Sequence, residues 1–381
     1  MRTRSAGTRL FMASCNATVW AASVADVALP PQPAFGVFDI MQVDQSLPTA
    51  DSVASHLSVA READRLGLDY VFVAERHFMP MYRAASPGLL LANLAATTGR
   101  VRLGVLAYTL PLHHPALLAE EISMLDHLSG GRLEVGIGLG HRPVEIDSLG
   151  LPSQHRQPLF LESFALLRRL WSGDPVTFRG AAYRVQDVLV DRPLQRPYPP
   201  LWYAGNDPVA ADWAARSGMS LAVGFQSDEQ LEVPAAAFTA ARRDDTQSRL
   251  AVMRNVYVAP TDDEAREDII GDLMRIGADL LANPRGVDTS AMAAPTRATA
   301  ERQHADHDAR QSIVSGGPEH VAAALAATMS TLGADIFLAN VHLAGVNESR
   351  VRRSLTLFAN DVIPRVRRLL TAGTDAGSEK I

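Results

Sequence analysis

Residues 112–142 read LHHPALLAEEISMLDHLSGGRLEVGIGLGHR. Their first half predicts a helix opening at Pro115, because Leu117, Leu118, Ile122, Leu125 and Leu128 recur on one face. Glu120, Glu121 and Asp126 fall off that face. Ser129-Gly130-Gly131 stops the helix, since glycine takes the left-handed position that ends a last turn. Leu133 to Leu139 follows at once as a strand, and glycines continue to Gly140 before His141-Arg142. A strand ending in glycines admits something large and flat close to the main chain. A helix thus delivers a strand to a pocket.

Outward from this unit the same alternation repeats. Strands are expected at Phe35–Asp39, Asp69–Ala74, Val101–Thr109, Leu201–Ala204, Ser220–Gly224, 250–258 and 335–338. Helices are expected at Ser52–Leu66, Pro87–Thr98, Leu159–Trp171, Pro208–Arg216, 228–243, 262–282, 318–331 and 347–370. Thr177–Gly180 and Tyr183–Val185 read as a hairpin. About eight strands lack clean period-two alternation, as strands do when both faces are covered. Without a mid-chain linker, this favours an α/β fold of the closed (β/α)8 TIM-barrel type over an open doubly wound sheet. One barrel domain is expected over 34–370, with a disordered tail at 371–381. The polar, weakly patterned stretch 283–315 is expected to be an insertion loop or lid.

Composition narrows the chemistry. The 381 residues carry a net charge of −6, which gives no reason to expect nucleic acid or an anionic membrane as partner. The one lysine, Lys380, excludes a phosphate-loop lysine and a Schiff-base lysine. The one cysteine, Cys15, excludes a disulfide framework, a thiolate zinc site and an iron–sulfur cluster, and fits a reducing, cytoplasmic location. Residues 1–33 hold a mildly apolar run broken by Ser14, Asn16 and Ser23. A signal peptide cleaved within 24–28 competes there with a disordered leader, and the interruptions favour the leader.

Several polar groups fall where barrel strands should end, the mouth of such a fold. Glu75-Arg76-His77-Phe78 closes the second strand, either as chemistry or as a salt-bridged rim. Leu106-Ala107-Tyr108-Thr109 closes the third. Gly205-Asn206-Asp207-Pro208 closes the fifth and opens a helix, as an ordinary Asx cap or as a phosphate-binding helix start. Gly136-x-Gly138-x-Gly140 has the wrong spacing for a dinucleotide fingerprint, and Arg142-Pro143 follows it rather than a helix. His304-x-x-His307, beside Asp306 and Asp308, reads as polar sequence, so no metal is expected.

In order and spacing these residues carry a resemblance. Glu75-x-His77-Phe78, His114-Pro115, Ala119-Glu120 and Leu125-Asp126-x-Leu128-Ser129-x-Gly131-Arg132 lead into Gly136-x-Gly138. Glu162-Ser163-Phe164, Leu170-Trp171, Ala204-Gly205-Asn206, Gly317-Pro318-Glu319 and Phe358-x-x-x-Val362-Ile363-Pro364 complete the set. From about Ala34 to Leu370 the chain resembles the bacterial luciferase-like flavin monooxygenases, which are (β/α)8 barrels. The resemblance implies a non-proline cis peptide at Leu106–Ala107 beneath the flavin ring. It implies that Gly138, Gly140 and His141 flank the ring, and that Gly205, Asn206 and Asp207 hold the phosphate. It further implies oxygenation of a small organic substrate by O2 and reduced FMN, through a flavin hydroperoxide, with a separate flavin reductase as partner and a homodimer as the assembly.

The chain departs from luciferases at two positions. Arg76 stands where they have the first histidine of Glu-His-His-Phe, and arginine cannot act as a base, so light emission is not expected. Leu139 stands where they have an arginine at the phosphate, a role left to Arg142 or Arg156. His77, Arg76 and Glu75 are the expected catalytic group. A deazaflavin-dependent hydride-transfer enzyme of the same fold and a catalytically silent flavin-binding subunit are the alternatives.

Overall fold

The computed structural model describes residues 33–43, 47–79, 81–140, 142–243, 247–282, 292–309, 313–343 and 346–378. The strands are β1 (Ala34–Asp39), β2 (Tyr70–Val73), β3 (Arg102–Thr109), β4 (Leu133–Gly138), β5 (Val176–Arg179), β6 (Arg184–Val188), β7 (Leu201–Ala204), β8 (Ser220–Gly224), β9 (Leu250–Val258), β10 (Ile313–Gly316) and β11 (Ile336–Asn340). Parallel pairing runs β1-β2-β3-β4-β7-β8-β9-β11 and returns to β1, so the sheet closes into an eight-stranded barrel. The β5–β6 hairpin stands outside it, antiparallel as its sequence suggests.

Closure explains the missing alternation. Val37, Val71, Leu103, Val135, Leu221, Val252 and Phe337 pack outward under the helices. Their neighbours Phe38, Phe72, Leu106, Trp202, Met253 and Leu338 fill the barrel interior. Both faces are apolar because both are covered. The helix Pro115–Ser129 ends with Gly130 at φ +66° and buries Leu118, Ile122 and Leu125. Leu117 and Leu128, expected on the same face, are exposed, and Asp126, expected off it, is buried where it accepts from Gln195.

The N-terminal end of the barrel is plugged by charge. Arg102 and Glu134 are 2% and 1% exposed and pair directly. Trp202 Nε1 donates to Glu134 Oε2 at 2.6 Å, and Arg102 Nη2 donates to Gln195 Oε1 at 2.9 Å. A buried ion pair of this kind holds only while both partners remain.

Four expectations are corrected here. The stretch 283–315 is not a bare loop: it holds the helix Arg297–Ala309 and most of β10, which adds to the edge of β9. That helix buries little, so no apolar period announces it. The Thr296 hydroxyl accepts from Thr299 N at its start, and Arg297 pairs with Glu301 and Glu267. Second, Pro143 opens a one-turn helix, Pro143–Asp147, where none was expected; proline at a first helical position loses no hydrogen bond. Third, the helix expected over 347–370 is two, Glu348–Leu357 and Ile363–Ser378, joined by a π turn at Phe358–Val362. Pro364 has no N–H to give back to that turn. Fourth, the last helix runs past the expected boundary at 370 to Ser378; its ladder continues through Ala372, a strong helix former. The leader lies outside the described residues, apart from Pro33. No helix among the described residues is long and apolar enough to cross a membrane.

Replacing Glu134 by alanine leaves the Arg102 guanidinium uncompensated inside the barrel. The expected loss is about 3–5 kcal/mol, read as a lower urea midpoint; a change below about 1 kcal/mol would show that the plug is dispensable.

Candidate active site

The C-terminal ends of the barrel strands meet around one carboxylate. Glu75 follows β2 and is 1% exposed. Its Oε2 accepts the Thr109 N–H at 2.6 Å, and its Oε1 lies 2.7 Å from His113 Nε2. His77 Nε2 lies 3.4 Å from Oε1. That contact is an electrostatic approach and not a formed hydrogen bond, since His77 Nε2 is buried without a partner among the described residues. Burial alone would raise the Glu75 carboxyl, but the His113 ring, the nearby His77 imidazole and the Thr109 N–H outweigh it and hold it at about 2. The same carboxylate raises the His77 imidazole, against the opposing effect of burial.

Two further charges complete this corner. The Arg76 guanidinium is pushed down by burial while Glu145 supports its charge, and Arg76 Nη1 donates to the Glu75 carbonyl at 2.9 Å. Glu145, from the one-turn helix, is 3% exposed and raised by burial; Arg76 and the His77 backbone N–H counter that rise. Its Oε1 has no hydrogen-bond partner among the described residues.

Beside the carboxylate the wall is bare main chain. The Leu106–Ala107 peptide is cis, as the resemblance implies. The β3–β4 register slips there: Val105 pairs with Val135, yet Tyr108 pairs with Ile137, so β3 spends one extra residue. Gly136 must be glycine, since a Cβ would sit 2.2 Å from the Val105 carbonyl oxygen. A Cβ on Gly138 would meet only Ala107 Cβ at 3.5 Å and Tyr108 O at 4.0 Å, leaving an open patch. Gly140 turns the chain away at φ +80°. Met41, Phe78 and Phe225 hold positive φ without being glycine, each just beyond the C-terminal end of a barrel strand. Backbone strain gathered at one rim marks a site. His141 lies outside the described residues.

Across the barrel, the turn after β7 is fixed by side chains. The Asn206 amide donates to Gly224 O at 3.0 Å and accepts from Gly224 N at 3.1 Å. Gly205 N donates to Ala222 O, and Asp207 caps the helix Pro208–Arg216 by accepting from Ala210 N at 2.8 Å. Arg142 precedes the one-turn helix, half-buried. Arg156 opens the helix Arg156–Leu170, with its buried Nε unpartnered among the described residues.

The structure therefore brings Glu75, Arg76 and His77 together and puts Leu106, Ala107 and Gly138 beside them. The residues 205–207 lie on the separate β7 edge. Two members of the cluster were not singled out from the sequence. His113 sits next to the His114-Pro115 signature, but His114 merely caps its helix by accepting from Ala116 N at 3.3 Å. Glu145 depends on the helix at Pro143 that was not expected. The one available signal was two adjacent histidines, of which only one can be the cap.

Comparison with known proteins agrees with this architecture. A family model, luciferase-like monooxygenase, matches residues 34–335. The chain belongs to the luciferase-like monooxygenase family. It is 41% identical over 195 residues to the uncharacterized protein y4wF of Sinorhizobium fredii, covering 51% of this chain and 57% of that protein. It is 30% identical over 218 residues to the oxygenase component of the flavin-dependent trigonelline monooxygenase of Acinetobacter baylyi, covering 55% and 60%. Both matches span less than two thirds of the relative. The crystal structure of monooxygenase RslO1 from Streptomyces bottropensis superposes with a TM-score of 0.73 at 27% identity, over 87% of this chain and 99% of that one. An F420-dependent glucose-6-phosphate dehydrogenase of Beutenbergia cavernae is 34% identical over 217 residues, 54% of this chain and 63% of that protein. The relatives with a named activity are monooxygenases and a dehydrogenase, one named for flavin and one for F420.

A carboxyl held near 2, against an ordinary 4.5, contributes stability that is complete above pH ~4.5 and lost as the pH falls through about 2. Glu75→Gln is therefore expected to be less stable than the native chain by on the order of 3 kcal/mol at pH 7. The gap should narrow as the pH falls from 4.5 toward 2. Urea midpoints at pH 7, 4 and 3 measure it; a gap independent of pH would assign the loss to packing instead.

Proposed function

We propose that this chain is the oxygenase component of a two-component flavin monooxygenase, using reduced FMN from a separate reductase, and O2, to oxygenate a small organic substrate. The observation that carries the reading is the bare wall of Ala107 and Gly138 set beside a buried carboxylate with two histidines. A flat isoalloxazine ring needs such a wall, and the family match supports its being a flavin's. When bound, reduced flavin supplies the electrons for oxygen activation.

This chain's residues then divide the remaining work. Leu106, Ala107 and Gly138 pack the ring, and Gly140 carries the chain past its edge. The rigid turn at Gly205, Asn206 and Asp207 presents main chain at a helix start to the FMN phosphate. Asp207 already caps that helix with a negative charge, so Arg142 and Arg156 supply the compensating cation. Glu75 fixes His113 and keeps His77 charged to higher pH, and His77 Nε2 holds or moves the proton beside the reacting oxygen. Arg76 holds an anionic group. Phe38, Leu338, Met253 and Phe225 keep the mouth apolar and exclude water. The working unit on this reading is a homodimer of single barrels in the reducing cytoplasm.

Anaerobic titration should show reduced FMN binding more tightly than reduced riboflavin, the phosphate making the difference. Equal affinity, or preference for a deazaflavin, would remove the FMN assignment. His77→Ala is expected to lower oxygen transfer by about 10²–10⁴ with little change in flavin binding. Hydrogen peroxide should account for the lost product. A variant with a lower melting temperature but normal turnover per folded molecule would make His77 structural.

A further inference from the structure

A second polar cluster lies outside the flavin corner, where the barrel closes on itself. Asp39 ends β1, His342 stands two residues past β11, and His56 comes from the helix Thr49–Arg65. They are 5%, 9% and 2% exposed. Each offers one donor atom, and the three atoms lie within 4.8 Å of one another. Asp39 Oδ1 accepts the Met41 N–H at 2.7 Å, which orients the carboxylate and leaves Oδ2 to face His56 Nδ1 at 2.7 Å. The His56 and His342 rings stack at 3.6 Å between centroids, 19° from parallel. His342 Nδ1 is buried with no hydrogen-bond partner among the described residues. Beside Asp39 and His56 is a cavity of ≈ 10 Å³, otherwise walled by apolar side chains such as Val37, Met41 and Leu57.

These observations share a chemical reason. An unpartnered polar atom in a core costs free energy, and two imidazoles packed face to face share one carboxylate. His56 is held at both nitrogens, by Asp39 and by the Gln42 carbonyl at 3.2 Å, which leaves His342 Nδ1 without an acceptor or donor among the described residues. A cation between the three side chains would satisfy all of them at once. One carboxylate and two imidazoles form a borderline-soft nitrogen–oxygen donor set, suited to zinc and its first-row neighbours. The bonds such an ion makes are about 2.0–2.2 Å, which puts tetrahedral ligands about 3.3–3.6 Å apart. Separations of up to 4.8 Å must therefore close, by a side-chain rotation of His342 that also unstacks its ring from His56. The cavity is about the size of one water, enough for a fourth ligand.

We infer that Asp39, His56 and His342 form a binding site for a divalent transition-metal ion of the Zn²⁺ class, clamping the first and last barrel strands together. Binding replaces the proton shared by His56 and Asp39, which passes to solvent, so apparent affinity rises with pH. The ion would stabilise the closure of β1 on β11, the one seam joining the two ends of the barrel.

The test uses the full chain, stripped with chelator and titrated with Zn²⁺ alone. The native chain should take up one zinc by equilibrium dialysis and melt at a higher temperature when loaded. His342→Asn and Asp39→Asn should each weaken that binding by at least about 100-fold and abolish the melting shift. His113→Ala should keep both; loss there would assign the ion to the flavin corner and overturn the inference. Uptake unchanged in the two cluster variants would overturn it too. Should those variants fail to fold, the native chain still decides: cobalt in place of zinc should show the visible absorption of a low-coordinate nitrogen–oxygen site, and its absence contradicts the clamp.

Discussion

The site rests on a carboxylate that has no business being buried alone. Glu75 is almost wholly removed from water, and an isolated charge there would neutralise itself. It stays ionised because two separate pieces of chain bring hydrogen bonds to it, the Thr109 N–H at the end of β3 and the His113 ring before the helix Pro115–Ser129, while the His77 ring two residues on approaches it electrostatically. Each donor is thereby fixed by the charge it supports. The mouth of the barrel is organised from this point outward, with His77 close to the carboxylate and Arg76 balancing Glu145. Geometry and protonation state have the same cause.

The bare strand beside that charge is the complementary requirement. Gly136 is forced by the Val105 carbonyl, so close packing of β3 on β4 demands glycine before any ligand is considered. Gly138 is under no such pressure. Its small size leaves bare main chain on that side, where the proposed reading puts the flat cofactor. At the far end of the barrel, Arg102 and Glu134 play the opposite part: a buried ion pair that closes the interior. Charge at the C-terminal rim surrounds the candidate site, and charge at the N-terminal end holds the barrel shut.

Much of this was legible in the residues 112–142, because helix period, glycine stop and unpatterned strand all point to a covered parallel sheet. Glu75-Arg76-His77 was legible because it ends a strand, where a barrel displays its chemistry. His113 was not, since adjacent histidines look alike until one caps and the other turns inward. Glu145 was hidden behind Pro143, read as a break when it is a helix start. The helix Arg297–Ala309 has almost no buried face and so leaves no period to read. Asp39, His56 and His342 could not be joined from sequence at all: some 300 residues separate the last from the first two, and only barrel closure makes them neighbours. A strand whose two faces are both apolar does not say which way its final aspartate points.

The claim that Glu75 sets the state of the site is tested most directly by titrating the histidine rings by nuclear magnetic resonance in the native chain and in Glu75→Gln. The account predicts that the His77 midpoint falls in the variant, because the carboxylate that raises it is gone while its burial remains. A His77 midpoint that is the same in both proteins would contradict it.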